Sequence, residues 1–338
     1  MDDVLNLAQE LKAERQADTK AVTLESKEKR VCEKCINKTA LYEKVKTYFM
    51  NGRSHVNKYQ YPFSIDGSAI CDSRHPPYMV ILCLSQPKHV SIRETIRRTW
   101  GSAIRSGQWP SGKHSSTRIS GVKLVFVLGE TFSETDRKIL QQESRVYGDI
   151  IKSDFTDSYR NLTMKVMLGM KWATQYCHGF KYLMKTDEDT FVNIRNALLY
   201  LKSLPTDNKG VIIGSLNNNS KVIRNGKWHT SSKEYPFNYY PEYISGQTYI
   251  ISGNLVPKLI HTAEYLPYFY LEDVFITGIV RVIAGANYIN EKSRFPRQFD
   301  RVPGICQFVR MTRISATNVN NQQKQAIWHL LRNTHRKC

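Results

Sequence analysis

The sequence holds no run of apolar residues long enough to cross a bilayer. A spanning helix needs ~20 consecutive apolar residues, and the longest runs here, Tyr78 to Leu84 and Leu124 to Leu128, are strand-length. The first residues, Met1-Asp2-Asp3, are acidic, so no secretory signal is read there, and any such signal is expected to be missing from this sequence. Proline and glycine are both absent before Gly52. There is no zinc-finger spacing, no basic stripe interleaved with aromatics and no RNA-binding aromatic signature, which removes the usual sequence grounds for a nucleic-acid partner. Internal repeats and low-complexity tracts are lacking too, which argues against a solenoid.

What is present is a basic chain of 338 residues, 41% of them hydrophobic, enough to bury the core of one large domain behind an N-terminal extension. The formal charge of +19 comes from 49 Lys and Arg against 30 Asp and Glu. That balance suits phosphate-bearing ligands, anionic polymers or membranes alike. The cations are spread along the chain, as at Arg93, Arg97, Arg98, Lys123, Lys181, Lys185, Arg281 and Arg310, and read as a solvated surface. Three glycosylation sequons, at Asn37, Asn161 and Asn218, favour a secretory context. Seven cysteines, Cys32, Cys35, Cys71, Cys83, Cys177, Cys306 and Cys338, permit three disulfides with pairing left open. Cys32 and Cys35 lack a second Cys/His pair at ligand spacing, so a zinc site is not expected there.

Residues 1–76 read as a stem or linker region, partly helical or flexible, because a Glu-, Lys- and Ala-rich stretch gives way to Gly, Ser, Asn and Pro punctuation at 51–77. A compact domain is expected over 77–338. There, apolar strands alternate with helices. Strands are expected at 78–84, 122–128, 150–151, 180–185, 211–214 and 249–252. Helices are expected at 91–99, capped by Ser91 with Glu94, and at 134–147, 162–176, 255–263, 274–283 and 322–332. This alternation indicates an α/β fold with a central, mainly parallel sheet flanked by helices, and ligands in such sheets lie beyond the carboxyl ends of strands.

Two acidic segments carry the chemistry. In Lys185-Thr-Asp-Glu-Asp-Thr-Phe-Val-Asn193 an apolar strand ends in Asp187-Glu188-Asp189 and apolar residues resume at once. Hard cations such as Mn²⁺ or Mg²⁺ take one or two carboxylates and complete their shell with water and substrate phosphate. The second segment, Leu271-Glu-Asp-Val274, reads either as a helix N-cap or as a general base, and both readings can hold for one carboxylate.

Taken with Ser91-Ile-Arg-Glu-Thr-Ile-Arg-Arg-Thr-Trp-Gly101, Leu124 to Gly129, Tyr147 to Ile151, Asp154 to Thr163, Trp172 with Cys177, and Tyr240-Pro-Glu-Tyr-Ile-Ser-Gly246, these segments give a chain that resembles the β-1,3-galactosyltransferase family. That group includes β-1,3-N-acetylglucosaminyltransferases and, more distantly, the Fringe proteins. The motifs run in the family's order over roughly three quarters of the chain. The resemblance implies a GT-A-like glycosyltransferase fold, with 77–338 as the catalytic domain. It implies an inverting hexosyltransferase that uses a UDP-sugar to form a β-1,3 linkage, galactosyl first and N-acetylglucosaminyl second, on a glycoprotein or glycolipid acceptor. Location would be the Golgi lumen, as a type II membrane protein whose anchor is absent from this chain. The residue roles implied are Asp189 and Asp187 for Mn²⁺ (or Mg²⁺), Arg93, Arg97, Lys185, Asp187 and Gly129 for the nucleotide, and Asp273 with Glu272 for proton abstraction. Trp100 and Tyr159 are expected to pack.

Three positions depart from the family pattern. Glu188 stands where relatives carry Asp, and Gln247 and Thr248 where relatives carry a small residue and Gly. Alignment on Cys306 and Ile314-Ser315 puts Thr312 where relatives have a metal-binding histidine. Water, Arg313, His329 or His335 would then take that place, or the enzyme is weak. A catalytically silent, glycan-binding relative is the competing reading.

Overall fold

The structure is a computed structural model, and it describes residues 37–50, 57, 59–71, 74–110, 117–205, 210–296 and 313–332. Cys32, Cys35, Cys306, Cys338, Arg310, Thr312 and His335 lie outside the described residues. The chain divides into two units, Met1–Leu41 and Tyr42–Cys338. Asn37 Oδ1 accepts the Ala40 amide at 3.0 Å at the start of helix α1, Lys38–Met50. No helix among the described residues is long and apolar enough to cross a membrane.

The second unit is built on an eight-stranded sheet. Its strands are β1 (Phe63–Ile65), β2 (Met79–Leu84), β3 (Val122–Glu130), β4 (Ile150–Thr156), β5 (Tyr182–Asp187), β6 (Val211–Asn217), β7 (Tyr243–Ser252) and β8 (Asn287–Asn290). Their order is β1-β4-β3-β2-β5-β7-β6-β8. Strands β4, β3, β2 and β5 are parallel, β7 runs against both its neighbours, and β8 follows β6 in parallel. The expected α/β architecture with a mainly parallel sheet is what forms. β2 is buried along its whole length because helices cover both faces, so it shows no alternation.

Helices α2 (Val90–Arg98), α3 (Glu134–Tyr147), α4 (Leu162–Tyr176), α5 (Ile194–Ser203), α6 (Val256–Glu264) and α7 (Asn321–Arg332) flank the sheet. α3 has local signals at both ends: Ser133 Oγ accepts the Asp136 amide at 3.2 Å, and Gly148 closes the helix at φ 60°. α2 begins one residue before the expected Ser91 cap. Its N-cap is His89, which makes no side-chain cap, and Glu94 pairs with Arg98 instead.

Two elements fall within the expected stem. β1 pairs antiparallel with β4, and α1 buries Val45 and Phe49 completely. A disulfide joins Cys71 to Cys177, just beyond the end of α4, which resolves one of the open pairings, and Cys83 is a buried free thiol. β4 runs on from Ile151 to Thr156 through the polar stretch Lys152-Ser-Asp, because buried Lys152 is neutralised by Glu130 and donates to Ser64 Oγ at 2.9 Å.

Candidate active site

The carboxyl end of β5 delivers Asp187, whose strand position lies opposite Leu84 of β2. The chain then turns, with the Thr190 amide donating to Asp187 O at 3.2 Å, so Asp187 and Asp189 both reach one cleft while Glu188 goes elsewhere. Glu188 accepts Ser85 Oγ at 2.6 Å and pairs with His89 Nδ1, tying the acidic turn to the loop after β2. The extra methylene that distinguishes it from aspartate is used for that reach.

The opposite wall comes from β7 and the segment that follows Leu271. Between Ile244, opposite Leu216, and Tyr249, opposite Gly214, the register of β7 against β6 breaks. The bulge turns Ser245, Gly246 and Gln247 toward the cleft. Gly246 permits the close approach: a Cβ there would sit 3.1 Å from Asp273 Oδ2. Its amide donates to Asp273 Oδ2 at 3.1 Å, and the Val274 amide donates to Asp273 Oδ1 at 2.9 Å. Asp273 thus caps the start of a helix and also faces the cleft. That helix is π-helical over Val274–Val280 before an α-helical turn at Arg281–Ile283, within the span expected to be one helix. Thr277 locks it to β7: its Oγ1 accepts the Ile244 amide at 2.8 Å and donates to Asp273 O at 2.6 Å.

The resulting cleft holds about 490 Å³ and gathers Asp187, Asp189, Lys185, Glu272 and Asp273. Lys185 is buried at its centre. Its ammonium donates to Asp187 Oδ1 at 2.7 Å and to Gly246 O, and lies 3.5 Å from Glu272 Oε2. Burial works against its charge, but the carboxylates of Asp187 and Glu272 outweigh this and raise its pKa above the usual lysine value. Glu272 is also buried, and it accepts from Tyr249 Oη. Burial raises its pKa to about 7, against the pull of Lys185, so this carboxyl sits near neutrality. Asp273 is also raised by burial, opposed by its backbone hydrogen bonds and by Lys185.

The outer wall is aromatic. Tyr159, 42% exposed, and Trp228, 43% exposed, line the cleft, and Trp228 Nε1 donates to Tyr159 Oη at 2.8 Å. Tyr159 therefore faces solvent here, contrary to the expectation that it packs, whereas Trp100 is fully buried as expected. Trp228 and Asn318 are cleft residues that the sequence reading missed; Asn318 belongs to the C-terminal segment that crosses Asp189, where Val319 N donates to Asp189 O at 2.8 Å. Gln247 lines the cleft, while Thr248 is buried with its hydroxyl 3.0 Å from that of Thr186.

Arg93, Arg97 and Gly129 do not line this cleft. Arg93 is buried, with Nε 2.9 Å from Glu143 Oε1 and Nη2 donating to Pro87 O at 2.9 Å. Arg97 is held by Glu143 at 2.6 Å and by Asp149 at 2.7 Å. Their charges are paired inside the protein, and neither reaches the cleft lined by Lys185 and Asp187. Arg93 also braces the loop at 85–89, its Nη1 donating to Ser85 Oγ at 3.0 Å. Gly129 lies where a Cβ would come 2.7 Å from Phe155 O, and its amide donates to Asp157 Oδ2 at 2.9 Å.

No group of three or more His, Cys, Asp or Glu side chains positioned to hold a metal occurs among the described residues. Asp187 and Asp189 converge as a two-carboxylate oxygen set, which fits a hard cation completing its shell with water and phosphate. Of the residues put forward in place of the missing histidine, neither Arg313 nor His329 lines the cleft.

The chain is similar to known proteins in sequence over most of its length. A family profile described as Galactosyltransferase matches residues 91–292. Beta-1,3-galactosyltransferase 5 of Gorilla gorilla gorilla is 38% identical over 205 residues, which cover 60% of this chain and 64% of the relative. The match thus spans less than two thirds of that relative's length. UDP-GalNAc:beta-1,3-N-acetylgalactosaminyltransferase 1 of Rattus norvegicus is 31% identical over 297 residues, 86% of each chain. Among solved structures, galactosyltransferase LgtC in complex with donor and acceptor sugar analogs aligns at a TM-score of 0.37 and 12% identity, covering 77% of this chain and 98% of that one.

Proposed function

Because the chain belongs to the galactosyltransferase family, we propose that it is an inverting transferase that moves a hexosyl group, galactosyl first, from a UDP-sugar to a glycan hydroxyl in a β-1,3 linkage. The observation that carries this reading is the meeting of Asp187 and Asp189 with Asp273 across one cleft of about 490 Å³. The acceptor is a glycan on protein or lipid, and the place of action is the Golgi lumen.

Asp273 is the proton acceptor. Its two backbone hydrogen bonds fix the carboxylate's direction, and its raised pKa makes it a better base than a free aspartate. It takes the proton of the acceptor hydroxyl while that oxygen bonds to the anomeric carbon; the bond from that carbon to the diphosphate breaks on the far side and UDP departs. Asp187 and Asp189 would hold Mn²⁺ or Mg²⁺, and a cation there would supply Lewis-acid stabilisation of the leaving diphosphate. Lys185 keeps Asp187 oriented, and Glu272, buried behind Asp273, positions Lys185 and does not itself abstract the proton. Tyr159 and Trp228 offer apolar faces to the acceptor sugar.

The test is UDP release with Mn²⁺ and a panel of donor sugars and acceptor glycans. General-base catalysis is worth ~10²–10⁴-fold, so Asp273→Asn is expected to lose transfer by about that factor while UDP binding stays intact. Retention of most of the turnover sinks the assignment, and binding without transfer by the wild type supports the silent, glycan-binding reading instead.

A further inference from the structure

Lys152, Lys165, Lys185 and Lys324 are the four lysines buried to nine-tenths or more among the described residues. Three are neutralised directly: Lys152 by Glu130, Lys165 by Asp157 at 2.6 Å and Lys185 by Asp187 at 2.7 Å. Lys324 is 1% exposed, and its ammonium makes no hydrogen bond or ion pair with any described residue. An uncompensated buried charge is costly, so a lysine kept in this state points to a partner that arrives from outside.

Its surroundings indicate what that partner is. Lys324 lies in the first turn of α7 and lines a second cleft of about 440 Å³ with Asp189, Ile92, Val319 and Asn320 to Gln322. Asp189 is shared by this cleft and the catalytic one. The approach is fixed by Val319 N donating to Asp189 O at 2.8 Å, and by Asn320 and Gln323 capping each other at 2.9 Å on both sides. The carboxylates within electrostatic reach of the ammonium are Asp189 and Glu188, and Glu188 is already engaged by Ser85 and His89. A helix N-terminus adds partial positive charge to the same cleft.

We propose that Lys324 is a resident cation of the donor site, standing on the α7 side of Asp189, where it shares with a divalent ion the neutralisation of the acidic turn and of the donor's diphosphate. This rests on the transferase reading and deepens it. A fixed positive charge there attracts the diphosphate and repels a metal cation, so its removal has opposite effects on the two ligands. A merely structural lysine has no such signature.

The experiment measures two equilibria on the whole chain: Mn²⁺ binding without nucleotide, by the electron paramagnetic resonance of free Mn²⁺, and UDP binding in excess EDTA, by calorimetry. Lys324→Met is expected to bind Mn²⁺ roughly tenfold more tightly and metal-free UDP roughly tenfold more weakly, the scale of one charge acting across several ångströms of protein. Lys324→Arg is expected to restore both values toward wild type. Lys324→Gln, neutral but polar, repeats the measurement if the methionine variant does not fold. Unchanged affinities, or Mn²⁺ and UDP binding that weaken together, overturn the proposal. A wild type that binds no UDP with or without Mn²⁺ sinks the transferase reading itself, and an Mn²⁺ affinity unmoved by Lys324→Met sinks the lysine's role alone.

Discussion

Glu272 and Asp273 are neighbours in sequence with different surroundings, and the difference divides their work. Asp273 accepts two backbone amides and faces the cleft half-buried, whereas Glu272 is buried against Lys185 and the Tyr249 hydroxyl. Glu272 has a folded pKa of about 7 against an ordinary 4.5, so between those values the native state holds a proton that the unfolded chain releases. The stability from that proton is complete below the ordinary value and is lost as pH rises through the folded one, a change of ~3 kcal/mol at most. Glu272→Gln, permanently neutral, escapes the loss. Its melting temperature relative to wild type is therefore expected to rise from about pH 5 to about pH 8, and a difference that stays flat contradicts the assignment. Gly246 gives a second test at this scale. An added methyl group would lie 3.1–3.3 Å from the Asp273 carboxyl group and Cβ, so Gly246→Ala is expected to displace the base and cut kcat by about tenfold or more, with little change in UDP affinity. An unchanged kcat would mean that the carboxylate is not held as described.

At the scale of elements, the disulfide between Cys71 and Cys177 fastens the segment before β2 to the C-terminal end of α4 across a sequence separation of 106 residues. Closing so long a loop restricts the unfolded chain by ~4–5 kcal/mol, of which real proteins realise about 2–5. Reduction, or Cys71→Ser, is expected to lower the denaturation free energy by that amount, read from chemical unfolding with and without reductant. Legibility in sequence follows the same local logic. α3 was legible to the residue because its boundaries are the local signals Ser133 and Gly148, and α4 matched its expected bounds without such caps. β1 and β8 were not, since edge strands of three and four residues with partly exposed side chains are too short to carry a buried run or a sustained alternation. The first half of β7 was hidden by its polar bulge, Ser245 to Thr248, which brings Gly246 against Asp273. Asp187, Asp189 and Asp273 could be found because carboxylates flanked by apolar residues violate the local pattern. Trp228, Asn318 and Lys324 could not, because each belongs to the site through a contact between distant segments. Arg93 and Arg97 illustrate the reverse, since their motif was visible while their partners Glu143 and Asp149, about fifty residues onward, were not.

For the molecule as a whole, the open question is where the catalytic unit begins. Punctuation at 51–77 suggested a start near Tyr78, yet the second unit starts at Tyr42. The intervening residues are built into it. Val45 and Phe49 are fully buried, Tyr42 Oη donates to Glu242 Oε2 at 3.1 Å, and Tyr48 Oη donates to Lys233 O at 2.8 Å. β1 completes one edge of the sheet beside β4, and Trp172 Nε1 donates to Asp66 O at 2.5 Å. Glu242 and Lys233 flank the segment that leads into the β7 bulge, so these residues brace that wall of the cleft. A chain begun at Pro77 forfeits two buried side chains at ~1.5–3 kcal/mol each and a disulfide at ~2–5, a sum comparable to the ~5–15 kcal/mol that holds a domain folded. Such a chain is expected to be unfolded or to melt at least about 10 °C lower, with transfer lost. A chain begun at Tyr42 is expected to keep both its melting temperature and its transfer activity. If the shorter chain folds and transfers as well as the longer one, then 42–76 is a stem after all, and the bracing of the cleft wall has no energetic weight.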